Sequence, residues 1–414
     1  MKKLYLYILL SLILILTGCR KGESIVDKNR QKEDMPEEEI ESNEELENKD
    51  RIQNIIDEMT LGEKIGQLII IGLNGYTIDD HTKEMIEKYN IGGFILFKYN
   101  ISDENQTLEL LNNLKKVNSN NSIPLFLSID EEGGRVSRLP KSFSKLPSAG
   151  KIGDINDKDI SLEYGKIIGK RLKSLGFNMN FGPVLDVNSN PKNPVIGDRA
   201  FGSTAEIVVD NGVQVMEGIS SENIISVIKH FPGHGDTNMD SHIELPVIDK
   251  DLKEVEELEL TPFIEGIKQG ADGIMIGHIL FSKLDSEYPA TLSREIITKL
   301  LREKLAYNEI IISDDMTMGA IIKNYTIEDA AVKFLKAGGD IVLVCHGYEN
   351  QIKIINRIKE EVNIGTISEE ELDEKVYRIL KVKEKYKLED NLVEKVDIDS
   401  LNSQTKELLN KINR

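Results

Sequence analysis

Two patterns alternate along the chain from residue 50 onward. Short apolar runs without polar alternation stand at 66–73 (GQLIIIGL), 92–97 (GGFILF), 124–130 (PLFLSID), 177–187 (FNMNFGPVLDV), 226–231 (SVIKHF), 273–279 (GIMIGHI), 309–315 (EIIISDD) and 340–345 (DIVLVC). Runs this short, rich in Ile, Val and Phe, fit strands covered on both faces. Between them lie segments with apolar residues at helical spacing and readable ends. SREIITKLLREKL starts at Ser293 as N-cap; TIEDAAVKFLKAGG opens at Thr326, with Asp329 three residues on, and stops at Gly338. Eight strands, each followed by a helix, predict an α/β chain closed into a (β/α)8 TIM-type barrel, a single catalytic domain over residues 49–390. An open doubly wound sheet is the alternative, but no Gly-rich phosphate loop opens its first strand-to-helix turn. After Ser368 the spacing predicts a closing helix with Leu372, Val376, Ile379 and Leu380 on one stripe. Residues 391–414 read as a C-terminal tail.

The N-terminus departs from this rhythm. MKKLYLYILLSLILILTGC places Lys2 and Lys3 before an apolar run from Leu4 to Leu16 and closes on Leu-Thr-Gly-Cys. A basic start and a short apolar stretch predict an export signal over residues 1–18. The run is shorter than the roughly 20 residues that cross a bilayer, and no basic stop-transfer cluster follows. LTGC resembles the lipobox of bacterial lipoproteins, which implies cleavage before Cys19 and a lipid on its thiol. The protein is then expected outside the cytoplasm, anchored to the membrane by two acyl chains. Residues 19–48, dense in charge and poor in large apolar side chains, predict a flexible acidic tether. A solvated helix is the alternative for its Glu-rich half. With Cys19 lipidated, Cys345 is the one remaining thiol, so no internal disulfide is expected.

Charge then narrows the partners. A net charge of −19 argues against nucleic acid or an anionic membrane surface, since both need a basic footprint. A monomer is expected. Within the body, Asp130, Asp186, Lys229, His230, His278, Asp314 and His346 all fall at or just past the end of a strand candidate. In a barrel those ends share one face, where active sites lie.

Three of the six histidines, His230, His234 and His242, crowd into KHFPGHGDTNMDSH, residues 229–242. His230 and His234 have the spacing of a zinc-binding helix, but Pro232, Gly233 and Gly235 break any helix there. No metal and no organic cofactor are therefore expected. Asp240 and His242 lie two apart, so on an extended loop they share a face. The carboxylate can accept from one ring nitrogen and fix the imidazole tautomer, which makes a general acid/base with its partner.

These residues sit in motifs that resemble glycoside hydrolase family 3, in its β-N-acetylglucosaminidase branch. KHFPGHGDTNMDSHIELP is similar to the family's signature loop. MTLGEKIGQL (59–68), IDEEGGRVSRL (129–139), VIGDRAFG (195–202) and ISDDMTMGA (312–320) resemble its other segments, in the same order. The resemblance also implies a (β/α)8 barrel. It makes Asp314 the nucleophile, His242 the acid/base and Asp240 its dyad partner, with Asp130, Arg138, Arg199, Lys229 and His230 binding the sugar. Asp315 is the rival nucleophile: strand alternation lets only one of the two aspartates face the pocket, and the resemblance selects Asp314. His234 and Asp236 are expected to shape the loop, and His278 and His346 to be structural rim residues. Glu131 stands where the family often has Gln, a change expected to be tolerated. Some relatives carry a second C-terminal domain that this chain ends without; His242 lies in the barrel, so the barrel is expected to suffice.

The implied activity is retaining hydrolysis of terminal β-linked N-acetylglucosamine from peptidoglycan-derived glycans or muropeptides, through a covalent glycosyl-aspartate. Phosphorolysis with the same residues is one alternative. A catalytically inactive wall-binding lipoprotein is another, against which stands the presence of Asp314, His242 and Asp240 together.

Overall fold

The computed structural model describes residues 37–413. The expected export signal, Cys19 and the first part of the tether lie outside the described residues. Two units divide between Gln53 and Asn54. Glu37–Glu58 is one continuous helix, the alternative given above for the Glu-rich half of the tether. Its Glu, Leu and Lys residues lose little side-chain freedom in a helix, and acidic residues favour the N-terminal end of the helix dipole. Among the described residues no helix is long and apolar enough to cross a membrane.

The second unit contains eight parallel strands: β1 (Ile69–Gly72), β2 (Gly93–Leu96), β3 (Phe126–Ile129), β4 (Met179–Asn180), β5 (Ile225–Phe231), β7 (Gly273–Ile276), β9 (Ile310–Ser313) and β10 (Val342–Val344). They pair in the order β10-β1-β2-β3-β4-β5-β7-β9. A bridge between Ile312 and Ile341 joins the two ends, with the Ser313 N–H donating to the Ile341 carbonyl at 2.9 Å. This is the (β/α)8 barrel. Every residue of these strands is buried, as expected of a sheet with side chains packed inside and helices outside. Two short strands outside the barrel, β6 (Val247–Ile248) and β8 (Leu280–Phe281), tie the loop after β5 to the loop after β7.

Each of the eight expected strands is present, but the fourth is much shorter than 177–187. Only Met179 and Asn180 pair regularly. Pro183 has no N–H to donate and follows a cis peptide bond, and beyond it Val184 makes a single bridge to Lys229. The helix ends agree with the reading of their caps. The Thr326 hydroxyl accepts from the Asp329 N–H, and Ser293 accepts from the Ile296 N–H at 3.2 Å, although the helix it starts, Glu295–Lys304, is π-helical. The closing helix Glu369–Lys385 has Ser368 and Glu371 as a capping box and buries Leu372, Val376, Ile379 and Leu380.

Residues 391–414 are not a loose tail. Ile398–Ile412 is a helix docked on the helix Lys158–Leu175. Its buried Leu401 and Leu408 repeat at seven residues, an apolar stripe too short to stand out beside the polar face. Lys170 Nζ donates to Gln404 Oε1 at 3.0 Å, and Arg171 donates to the Thr405 hydroxyl.

Candidate active site

The C-terminal ends of β3, β5, β9 and β10 open on a cavity of about 180 Å³. On one side, β3 runs into Asp130, Glu131 and Glu132, and β5 ends in Lys229, His230 and Phe231. Lys229 is buried, and its ammonium lies 2.7 Å from Asp130 Oδ1 and 2.6 Å from Glu132 Oε1. Glu132 in turn takes a two-pronged contact from Arg199, Nε to Oε2 at 2.8 Å and Nη2 to Oε1 at 2.9 Å. Burial alone would favour the uncharged forms of Lys229 and Glu132. Against burial, Asp130 and Glu132 hold the Lys229 pKa above its ordinary value, and Lys229 and Arg199 hold the Glu132 carboxyl far below the usual range. The result is a preformed array of charges.

Behind that array, Asp186 fastens the start of the histidine-rich loop. Its Oδ2 lies 2.7 Å from His230 Nδ1, and its Oδ1 accepts from the His234 N–H at 2.7 Å. His234 is buried with both ring nitrogens engaged, Nδ1 by the Thr237 hydroxyl at 2.8 Å and Nε2 by the Ser241 hydroxyl at 3.1 Å. Burial, then the neighbouring His230, push its pKa down to about 4, so at neutral pH it is uncharged. Asp236 pairs with Lys250 at 2.9 Å. Both residues therefore shape the loop. Among the described residues no group of three or more His, Cys, Asp or Glu is arranged to hold a metal ion.

The loop then brings His242 to the cavity. Its Nδ1 lies 2.8 Å from Asp240 Oδ1, which also accepts the His242 N–H at 2.9 Å. Asp240 does not border the cavity itself. Burial works to raise its pKa, but the two hydrogen bonds from His242 and the ring's charge outweigh this and lower it. The tautomer with Nδ1 protonated leaves Nε2 free for chemistry, since nothing among the described residues bonds to it.

Opposite stands β9. Asp314 and Asp315 both border the cavity but differ in what holds them. The Asp315 carboxylate accepts from the Thr317 N–H at 2.9 Å, the Thr317 hydroxyl at 2.6 Å and the Cys345 N–H at 3.0 Å. Among the described residues, the Asp314 carboxylate accepts only the Asp315 N–H, at 2.8 Å. Burial opposes its ionisation, but His278, His230 and that N–H outweigh burial and lower its pKa. It stands as an anion with an uncommitted oxygen. His278 lies behind it, buried between the Thr291 hydroxyl at 2.7 Å and the Asp315 carbonyl at 3.0 Å. His346 is exposed at the rim, its ring 5.4 Å from that of Phe97. Arg138 borders the cavity and forms no ion pair among the described residues, and its buried Nε has no hydrogen-bond partner there.

Residues 60–382 match the glycosyl hydrolase family 3 N-terminal domain. The chain belongs to this family. Over 337 residues it is 36% identical to beta-hexosaminidase A of Pseudoalteromonas piscicida, a match covering 75% of this chain and 56% of that one. The chain thus spans little more than half the length of that relative. The beta-hexosaminidase of Nitrosomonas eutropha is 31% identical over 299 residues, 71% of this chain and 84% of its own length. The solved structure of a glycoside hydrolase family 3 beta-N-acetylglucosaminidase from Paenibacillus sp. str. FPU-7 superposes with a TM-score of 0.80. It is 36% identical and covers 84% of this chain and 68% of that one.

In this family 3 barrel, seven of the sequence-selected residues meet at one cavity: Asp130, Arg138, Arg199, Lys229, His230, His242 and Asp314. Asp240 joins them through His242. Glu132, which links Lys229 to Arg199, escaped the sequence reading. The signal was available: in an extended segment after β3, Asp130 and Glu132 are two apart and share a side. The same alternation misled at the end of β9, where it admitted only one aspartate to the pocket and both Asp314 and Asp315 border it.

Proposed function

We propose that this chain is a retaining β-N-acetylhexosaminidase that removes terminal β-linked N-acetylglucosamine. The observation that carries this is the meeting, in one cavity, of an uncommitted Asp314 carboxylate and a His242 ring with one nitrogen free. An Asp314 oxygen attacks the anomeric carbon as the glycosidic C–O bond breaks, and protonated His242 gives its proton to the departing oxygen. Water then bonds to the same carbon, neutral His242 takes its proton, and the Asp314 carboxylate leaves. The pairing of imidazole with carboxylate replaces the two carboxyl groups usual in retaining glycosidases. Asp130, Lys229, His230, Arg138 and Arg199 hold the sugar hydroxyls, the positioning share of catalysis. Glu132 keeps Lys229 and Arg199 in place. A cavity of about 180 Å³ suits one terminal sugar, so attack at a chain end is the expected mode.

The test is trapping with a fluorinated N-acetylglucosaminyl donor followed by peptide mass spectrometry. An adduct on Asp314 is expected; an adduct on Asp315, or no adduct with turnover intact, overturns the assignment. Phosphorolysis is the second reading, because a neutral or cationic imidazole does not repel phosphate as a carboxylate does. Product analysis with and without phosphate separates the two: the free sugar supports hydrolysis, the sugar 1-phosphate the alternative.

The substrate proposed is a peptidoglycan fragment, met outside the cytoplasm by a protein lipid-anchored at Cys19. The LTGC sequence supports the anchor and the location; the relatives' beta-hexosaminidase names support the terminal hexosamine alone. Membrane fractionation of wild type and Cys19→Ala tests the anchor, with release of the variant into the soluble fraction expected.

A further inference from the structure

Five residues after Asp314, the chain touches the loop that carries His242. Gly319 opens the short helix Gly319–Ile322. Its N–H donates to the His242 carbonyl at 3.2 Å, and the Ala320 N–H donates to the Ser241 carbonyl at 3.1 Å. The approach is so close that a Cβ on Gly319 would lie 2.6 Å from the carbonyl oxygens of both His242 and Ile243. No methyl group fits at that distance, so one side must yield. Gly319, Ala320 and Ile321 are buried, whereas the His242 side chain is 64% and Ile243 59% exposed. The loop is therefore the side that moves.

We propose that Gly319 is a positioning residue for the acid/base, a contact point that sets how far His242 stands from Asp314. This rests on the reading of His242 as acid/base given above. Asp314 is fixed by its own N–H, which donates to the Ile276 carbonyl of β7 at 3.0 Å. The stretch from 314 to 320 then carries the nucleophile at one end and the seat of the acid/base loop at the other. Spacing between the two catalytic groups is thus set by one continuous segment, half-buried at Asp314, Asp315 and Thr317 and buried from Met318 to Ala320, rather than by the exposed loop itself. A misplacement of about 1 Å can cost about 10²-fold in rate. Here the loss falls only on steps that need the proton, which separates positioning from general damage.

The experiment compares the full chain as wild type, Gly319→Ala, His242→Ala and the control Gly62→Ala, where a Cβ would meet only the Thr60 hydroxyl oxygen, at 3.9 Å. Two N-acetylglucosaminides are used, one with a dinitrophenyl leaving group that departs without a proton and one with an alkyl leaving group that needs it. For Gly319→Ala we expect kcat/KM to fall about 30-fold or more on the alkyl substrate and less than about threefold on the dinitrophenyl one. Azide attacks the glycosyl-enzyme carbon without a base, releasing Asp314 and giving the glycosyl azide, so it should raise kcat in Gly319→Ala as in His242→Ala. Equal losses on both substrates, no azide response, or no loss at all would overturn the proposal. If His242→Ala itself lacks the leaving-group dependence, the acid/base reading fails and takes this proposal with it. Should Gly319→Ala not fold, Ala320→Pro removes one of the two donors in a first helical turn, where proline is tolerated, and is held to the same outcomes.

Discussion

The wall of the cavity made by β3 and β5 and the loop that carries His242 hold their charges in different ways. On the wall, Lys229, Glu132 and Asp186 are buried and the Arg199 side chain is 11% exposed, and each is paired within the protein at 2.6–2.9 Å. On the loop, His242 is largely exposed and has one carboxylate partner, itself a third exposed. His234, on the same loop, sharpens the contrast: both of its ring nitrogens are bonded and its pKa is pushed down to about 4. Groups that orient hydroxyls gain from being fixed, and opposite charges offset the cost of burying them. A group that must take up and release a proton each cycle needs one nitrogen uncommitted. The two regions divide the work of holding and reacting.

The largest way to break this division is to remove the reacting carboxylate that stands opposite the wall, after β9. Asp314→Asn should lower kcat by about 10⁴-fold or more with any leaving group. It should melt close to wild type, because among the described residues a single hydrogen bond touches the carboxylate. Asp315→Asn should show the reverse balance, a clear loss of stability from its three donors. Steady-state kinetics beside thermal melting checks both, and exchanged outcomes would reassign the nucleophile. On the loop, His242→Ala should cost about 10²–10⁴-fold, with the fold untouched because the residue is solvated. A loss of more than a few degrees in melting temperature would mean that the loop is part of the scaffold after all.

Glu132→Gln probes the wall without touching the proposed chemistry. It leaves the buried Lys229 and the mostly covered Arg199 with too little negative charge between them, and breaking a buried pair in this way costs about 3–5 kcal/mol. Urea denaturation measures it. Stability within about 1 kcal/mol of wild type would show that Asp130 alone satisfies the two cations.

Much of this was legible in the sequence, and the failures have physical causes. The strands were readable because burial on both faces leaves few polar residues in them, as in the Ile69–Ile70–Ile71 run of β1. The fourth was overdrawn because its apolar side chains continue past Pro183, while regular pairing gives way there to a single bridge from Val184 to Lys229. The docked helix Ile398–Ile412 was missed because it buries few large apolar side chains and otherwise attaches by polar contacts such as Lys170 to Gln404. At the site, residues placed by strand ends were found. Glu132 was missed because its importance lies in bridging two cations that are 30 residues apart in sequence, Arg199 and Lys229, and only the fold brings them together.

The mildest prediction concerns Glu131, between the wall's two anionic residues but facing away from the cavity. It is buried and accepts the Arg138 N–H at 2.9 Å. Burial raises its pKa from 4.5 to about 7, against the pull of Ser137, the Arg138 N–H and the Arg171 charge. A carboxyl whose folded pKa lies above its unfolded one binds its proton more tightly in the native state. Its contribution to stability is complete below about pH 4.5 and is lost as pH rises through about 7. Glutamine has the shape of the protonated acid and does not titrate. Glu131→Gln should therefore match wild type near pH 4 and exceed it in alkaline buffer. A difference of about 2.5 pH units corresponds to at most about 3 kcal/mol. Denaturation at pH 4 and pH 8.5 reads the gap directly, and kcat should not change because the side chain does not border the cavity. Parallel stability curves for the two proteins would mean that water or a counter-charge reaches Glu131, and the wall would then be less dry than its pairings imply.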